Sequence, residues 1–505
     1  MKTRKRRWLR ITIFVLVSGL LVAGGAVLTV ALLLRPPSPG QLAEPISIQT
    51  GMVQGRTQNG ITIYKGIPFA APPVGDLRWR APQPVADWDG TLTADRFSPA
   101  CIQGGETVPG LGVEPVSEDC LYLNVWTPAQ SAADGLAVMV WLYGGGNRVG
   151  SGSARLYWGG DLAKRGVVVV TLNYRLGALG MFAHPELSAQ SGYDASGNYL
   201  LLDQIAALHW VQDNISAFGG DPNNVTLFGQ SAGTSNASKL TVSPLARGLF
   251  HRVIAHSGGD FSPSETKYSS TYSQAHAEQT GVDWTARFGV HSIAEMRRVP
   301  AEEIFANDDG AFFGNGTPRG PHRINIDNYV VTGDTYDLYA QGLQHDVDLL
   351  VGYNAGEEQM PHRWPIRTWA LMHARNSTNN VFAYYFTRVP PFPPFRFTGT
   401  AGHGAELPYL FGYPPRVVFY FIKVRFLEMP WTAHQDYRLA GVIQSYWTNF
   451  AKTGDPNGAG LPHWPDVRQS GQVMELGDTI GAIDAPDRQA HIEMDAEMAR
   501  LRGQP

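Results

Sequence analysis

Asn224-Val225-Thr226-Leu227-Phe228-Gly229-Gln230-Ser231-Ala232-Gly233 is the stretch on which the reading of this chain turns. Its first five residues form a short run rich in apolar and β-branched side chains. It passes without a spacer into a serine held between two glycines, and small residues continue up to Lys239-Leu240. A strand that reverses into a helix this sharply leaves no room for side chains on either side of the turn and thrusts the central hydroxyl outward. The segment predicts a strand, a nucleophile elbow and a helix, with Ser231 as candidate nucleophile. A tight turn with a capping serine is the competing reading, and the strand directly upstream disfavours it.

Working outward, residues 137–143 and 166–174 are short, apolar and valine-rich, as strands buried on both faces should be. Between 198 and 215, Leu201, Ile205, Leu208, Val211 and Ile215 recur every three or four positions until Gly219-Gly220-Asp221-Pro222 stops the run. That pattern is an amphipathic helix crossing over a sheet. Residues 224–228, 252–256, 347–351 and 381–386 read as further strands and 435–451 as a late helix. The order predicts an α/β fold, a doubly wound and mostly parallel sheet with helices on both faces. No linker divides the region from residue 46 onward, so 46–505 is read as one domain.

A serine elbow needs backbone donors for an oxyanion, and Tyr143-Gly144-Gly145-Gly146-Asn147 follows the 137–142 strand. Consecutive glycines let N–H groups converge on one point without an obstructing Cβ. A phosphate-binding loop is the alternative, but no Gly-x-x-x-x-Gly-Lys occurs in the chain.

The 505 residues are 43% apolar, with 56 Gly, 35 Pro and two Cys, a composition that fits a globular protein with a large core. It excludes a disordered chain, a coiled coil and a cysteine-rich scaffold. Residues 36–505 carry 33 Lys+Arg against 44 Asp+Glu, a net charge of −11, which argues against nucleic acid as a partner. Six of the first ten residues are basic, and residues 11–34 are free of charge. At about 1.5 Å per residue those 24 positions would reach roughly 36 Å, enough to span a hydrocarbon core. The expectation is a cytoplasmic segment 1–10, a transmembrane signal-anchor 11–34, a proline-rich tether 35–45 and an extracytoplasmic domain at the cell surface or in the periplasm. Secretion after signal cleavage is the alternative. Export makes a disulfide between Cys101 and Cys120 the expected state; the loop-entropy model gives it about 3 kcal/mol.

Four further segments carry a resemblance. They are residues 64–75 (Tyr-Lys-Gly-Ile-Pro-Phe-Ala-Ala-Pro-Pro-Val-Gly), residues 117–125 around Glu118-Asp119-Cys120, Asn173-Tyr174-Arg175, and residues 446–457. With the elbow, they make most of residues 46–465 resemble the type-B carboxylesterase and cholinesterase family of the α/β-hydrolase fold. The resemblance implies Ser231 as nucleophile and the N–H groups of Gly145, Gly146 and Ala232 as oxyanion hole. It implies an acid in Val351-Gly352-Tyr353-Asn354-Ala355-Gly356-Glu357-Glu358, where spacing selects Glu357 with Glu358 as fallback. It selects His403, in Gly402-His403-Gly404-Ala405-Glu406, as base, which nothing else ranks among 14 histidines. It also implies ion pairs Arg78–Glu118 and Arg175–Asp203, with supporting roles for Ser257 and Gln230.

The implied activity is hydrolysis of a small-molecule carboxylic ester through an acyl-enzyme, with no metal or organic cofactor. Transfer of the acyl group to an alcohol, or a non-catalytic binding module of the same fold, are the alternatives. Three departures from the family qualify this. Gln230 stands where a glutamate is usual, and the Cys101–Cys120 loop has no aromatic residue, so choline esters are not expected. Only 46 positions separate Glu357 from His403, which implies a shortened cap and a more open site. Asn147 replaces an aromatic or apolar residue. Sequence leaves the oligomeric state open.

Overall fold

β-Branched and aromatic runs bounded by turn residues become strands where the sequence places them. In the computed structural model, which describes residues 40–104, 115–308, 322–357, 360–391, 398–412 and 434–504, Arg252–His256 and Val381–Phe386 are strands with those limits. The expected signal-anchor and Glu358 lie outside the described residues. Among the described residues no helix is long and apolar enough to cross a membrane.

Residues from Leu42 onward form one compact unit. Its central sheet contains β1 (Arg56–Gln58), β2 (Ile61–Pro68), β3 (Tyr122–Thr127), β4 (Leu136–Leu142), β5 (Val168–Leu172), β6 (Gly220–Gln230), β7 (Arg252–His256), β8 (Asp348–Asn354), β9 (Val381–Phe386), β10 (Gln472–Leu476) and β11 (Ile480–Asp484). These lie side by side in the order β1-β2-β3-β5-β4-β6-β7-β8-β9-β10-β11. Pairing from β5 through β10 is parallel; the outer strands at both ends pair antiparallel. β4 and β5 are buried along nearly their whole length, as their valine-rich sequence requires. Helices α1 (Tyr199–Asn214), α2 (Ala232–Leu240), α3 (Met360–Asn376) and α4 (His434–Thr453) pack on this sheet, giving the α/β-hydrolase architecture.

Among the boundaries that differ from the sequence reading, two have a visible cause. Asp221-Pro222 does not merely end a helix. β6 already starts at Gly220, which pairs with Leu136, and a bulge then absorbs the proline before Val225 pairs with Val138. β8 runs past the expected end at residue 351, through Gly352, to Asn354. A Cβ on Gly352 would lie 2.2 Å from the Tyr384 ring on the next strand, so the aromatic neighbour accounts for this glycine.

The expected cross-links are present. Cys101 and Cys120 are disulfide-bonded. Arg78 grips Glu118 with two hydrogen bonds, of 2.7 and 2.6 Å, and Arg175 pairs with the fully buried Asp203 at 2.7 Å. Both arginines also donate to backbone carbonyls, so the buried charges are hydrogen-bonded as well as paired.

Candidate active site

The parallel register lines up Leu142, Gly229, Ala255 and Val351 on adjacent strands. The loops that leave the carboxyl ends of β4, β6, β7 and β8 therefore meet on one edge of the sheet, the usual location of sites in open α/β sheets.

Ser231 has φ 56° and ψ −121°, a conformation rare for a side-chain-bearing residue, and its N–H donates to His256 O at 2.9 Å. It precedes α2, yet its side chain makes no capping hydrogen bond to the helix, which removes the capping-serine reading. The small neighbours follow from packing on β4, since a Cβ at Gly233 would come within 2.1 Å of Leu142 O.

His403 Nδ1 lies 2.5 Å from Glu357 Oε1. The carboxylate is buried and its other oxygen accepts the Asn354 N–H at 3.0 Å, whereas the imidazole is two-fifths exposed. Burial pulls the His403 pKa down, but the bond and charge of Glu357, with the charge of Glu406, outweigh it and leave the ring above its ordinary value. With Glu357 at Nδ1, the Nε2 lone pair is turned to the elbow, where Gln230 Nε2 stands 2.9 Å away on the residue before Ser231.

The glycine loop lies against the same elbow. A Cβ on Gly144 would meet Gln230 Oε1 at 2.5 Å and the Ser231 Cβ at 3.0 Å. Gly145 and Gly146 have φ of 116° and 63°, and Gly145 O accepts the N–H groups of Arg148 and Val149. Among the described residues neither glycine N–H donates to a protein acceptor. Ala232 opens α2, where a backbone N–H has no intrahelical partner.

Sequence reasoning missed a buried layer beneath these groups. Asn354 Nδ2 donates to Gly402 O at 2.9 Å and to Glu406 Oε2 at 2.5 Å, tying the acid loop to the histidine loop. Gly356 N donates to Ala401 O alongside. Glu406 Oε1 lies 3.3 Å from His256 Nδ1, whose ring also meets Tyr384 Oη and accepts the Trp447 indole N–H, each at 3.0 Å. Burial raises the Glu406 pKa, but the contacts with His256 and Asn354 outweigh it and hold the carboxyl below its usual range. The only sequence signal was the three-residue spacing from His403 to Glu406. Ser257 is fully buried with φ 49° and its N–H donates to Gly352 O at 2.8 Å. Its hydroxyl has no hydrogen-bond partner among the described residues, so any support it lends the acid runs through its backbone.

Such a sheet, with a serine elbow whose neighbouring Gln230 meets an imidazole paired to a buried carboxylate, fits the α/β-hydrolase class of serine hydrolases. The chain belongs to the carboxylesterase family, which it matches over residues 43–363 and 358–494. It is 36% identical to the fumonisin B1 esterase of Sphingopyxis macrogoltabida, with 86% of each chain covered. It is 34% identical to the para-nitrobenzyl esterase of Bacillus subtilis, covering 83% of this chain and 92% of that one. A solved thermophilic PNB esterase superposes with TM-score 0.76 at 29% identity, covering 89% of this chain and 99% of the other. The protein is thus a carboxylesterase-type serine hydrolase acting on small-molecule esters.

Proposed function

We propose that the chain hydrolyses carboxylic esters with Ser231 as nucleophile, His403 as general base and acid, and Glu357 as the carboxylate that orients the imidazole. His403 Nε2 takes the Ser231 proton as Oγ attacks the ester carbonyl. Glu357 holds the tautomer that leaves Nε2 unprotonated and stabilises the imidazolium. The N–H groups of Gly145, Gly146 and Ala232 receive the oxyanion. Collapse of the tetrahedral adduct expels the alcohol with the proton from His403, and water repeats the sequence on the acyl-enzyme. The observation that carries this reading is the 2.5 Å contact of His403 Nδ1 with a buried Glu357, with Nε2 turned to the elbow.

Relatives are named for substrates as different as fumonisin B1 and p-nitrobenzyl esters, so the substrate is drawn no finer than a carboxylic ester. The test is Ser231→Ala, assayed against p-nitrophenyl esters of increasing acyl length. A loss on the order of 10⁴ to 10⁶ in kcat with an unchanged melting temperature is expected; retention of most activity refutes the assignment. The uncharged run 11–34 behind six basic residues supports placing this unit outside a membrane through an N-terminal anchor. Release of activity from washed membranes by high salt alone would refute that placement.

A further inference from the structure

Asn147 directly follows the proposed oxyanion glycines, and Asn236 lies on α2 five residues after Ser231. The two amides bond reciprocally, Asn147 Nδ2 donating to Asn236 Oδ1 at 3.1 Å and Asn236 Nδ2 to Asn147 Oδ1 at 2.9 Å. Asn236 is fully buried and Asn147 nearly so. We infer that this amide pair is a positioning device that sets Gly145 and Gly146 against the helix bearing Ser231 and Ala232, and so fixes the geometry of the oxyanion hole. The inference rests on the triad reading above.

The rest of the loop is anchored elsewhere. Gly145 O turns back on Arg148 and Val149, and Asn147 O accepts from Gly177 N at 2.8 Å. The Arg148 guanidinium pairs with buried Asp308 at 3.0 Å and reaches His322 O. Among the described residues, the Asn147–Asn236 bonds are the only side-chain hydrogen bonds between residues 144–150 and α2. Two donors of the hole stand on one side of this link; the third and the nucleophile stand on the other. An apolar contact would hold the two segments together but would not set their separation, because dispersion is non-directional; two parallel N–H···O bonds fix both distance and rotation. Asn147 also suits its backbone, with φ 59°, a region asparagine tolerates better than the apolar residues usual here. Asn147 and Asn236 touch no reacting atom in this scheme, and both act through the loop.

The test uses Asn147→Asp and Asn236→Asp, which keep shape but leave two oxygens facing each other when ionised. Asn147→Gly, compatible with the positive φ, serves if these fail to fold. Active sites are titrated by the p-nitrophenol burst from a p-nitrophenyl dialkyl phosphate, and the modified peptide is located by mass spectrometry. On titrated enzyme, kcat for a p-nitrophenyl ester and Ki for an alkyl trifluoromethyl ketone, whose bound hemiketal carries the oxyanion, are measured. Loss of an oxyanion donor costs roughly 10² to 10³ in kcat, and a displaced loop should cost less, roughly 10- to 100-fold. Support is a fall of at least fivefold in kcat per titrated site with Ki rising by a similar factor. A smaller fall, or a fall in kcat without weaker ketone binding, overturns the inference, as does activity lost only through fewer titratable sites. Wild-type enzyme phosphorylated at a residue other than Ser231 would instead refute the triad reading, whatever the variants do.

Discussion

Gln230→Glu places a carboxylate where an amide now meets His403 Nε2 at 2.9 Å, and the outcome can be worked from that geometry. An amide N–H pointing at the Nε2 lone pair favours the neutral ring, whereas a carboxylate favours the imidazolium, so both changes raise the His403 pKa. Opposite unit charges about 4 Å apart attract by about 1 kcal/mol in water and about 4 kcal/mol at an effective dielectric near 20. The ring is two-fifths exposed, so the lower part of that range applies. With about 1.4 kcal/mol per pKa unit, the shift is about one unit upward. The base works only when neutral, so the acid limb of kcat/KM moves up by about one unit. Activity below the wild-type pKa then falls about tenfold, and the loss shrinks as pH rises through the new pKa. The assay is a pH–rate profile with a neutral p-nitrophenyl ester, corrected for spontaneous hydrolysis. An acid limb that stays in place, or moves down, refutes the placement of Gln230 against the catalytic base.

Glu357→Gln should remove the bond and charge that raise the His403 pKa, moving the acid limb down while kcat drops on the order of 10⁴; Glu358→Gln should change little, and the reverse pattern would move the acid by one residue. Asp203→Asn leaves the buried Arg175 guanidinium without its counter-charge and should cost about 3 to 5 kcal/mol in a urea denaturation series; a cost below about 1 kcal/mol would show the pair to be dispensable. An ester of a neutral alcohol should be cleaved about as well as its size-matched quaternary ammonium analogue, because Gln230 is uncharged and residues 101–120 hold no aromatic face for a cation. A hundredfold preference for the cation, about 2.7 kcal/mol, would overturn that expectation.

What the sequence by itself determined is local. The elbow is legible in five residues because a turn at φ 56° packed against Leu142 excludes side chains at its flanks. The glycine loop is legible because its backbone takes conformations closed to most residues, and the strands because their periodicity and valine content record burial on both faces. His403 and Glu357 stood out only through family resemblance, since nothing near either residue marks it as a partner of the other 46 positions away. The tertiary structure decided which groups meet. The parallel register brings the ends of β4, β6, β7 and β8 to one edge, and hydrogen bonds from Asn354 and Gly356 to the histidine loop set His403 against Glu357 and Gln230. It likewise joins Glu406 to His256 across 150 positions and Asn147 to Asn236 across 89. A polar side chain's partner is set by where strands end in space, and a hydrogen bond between distant loops leaves no periodicity in either segment.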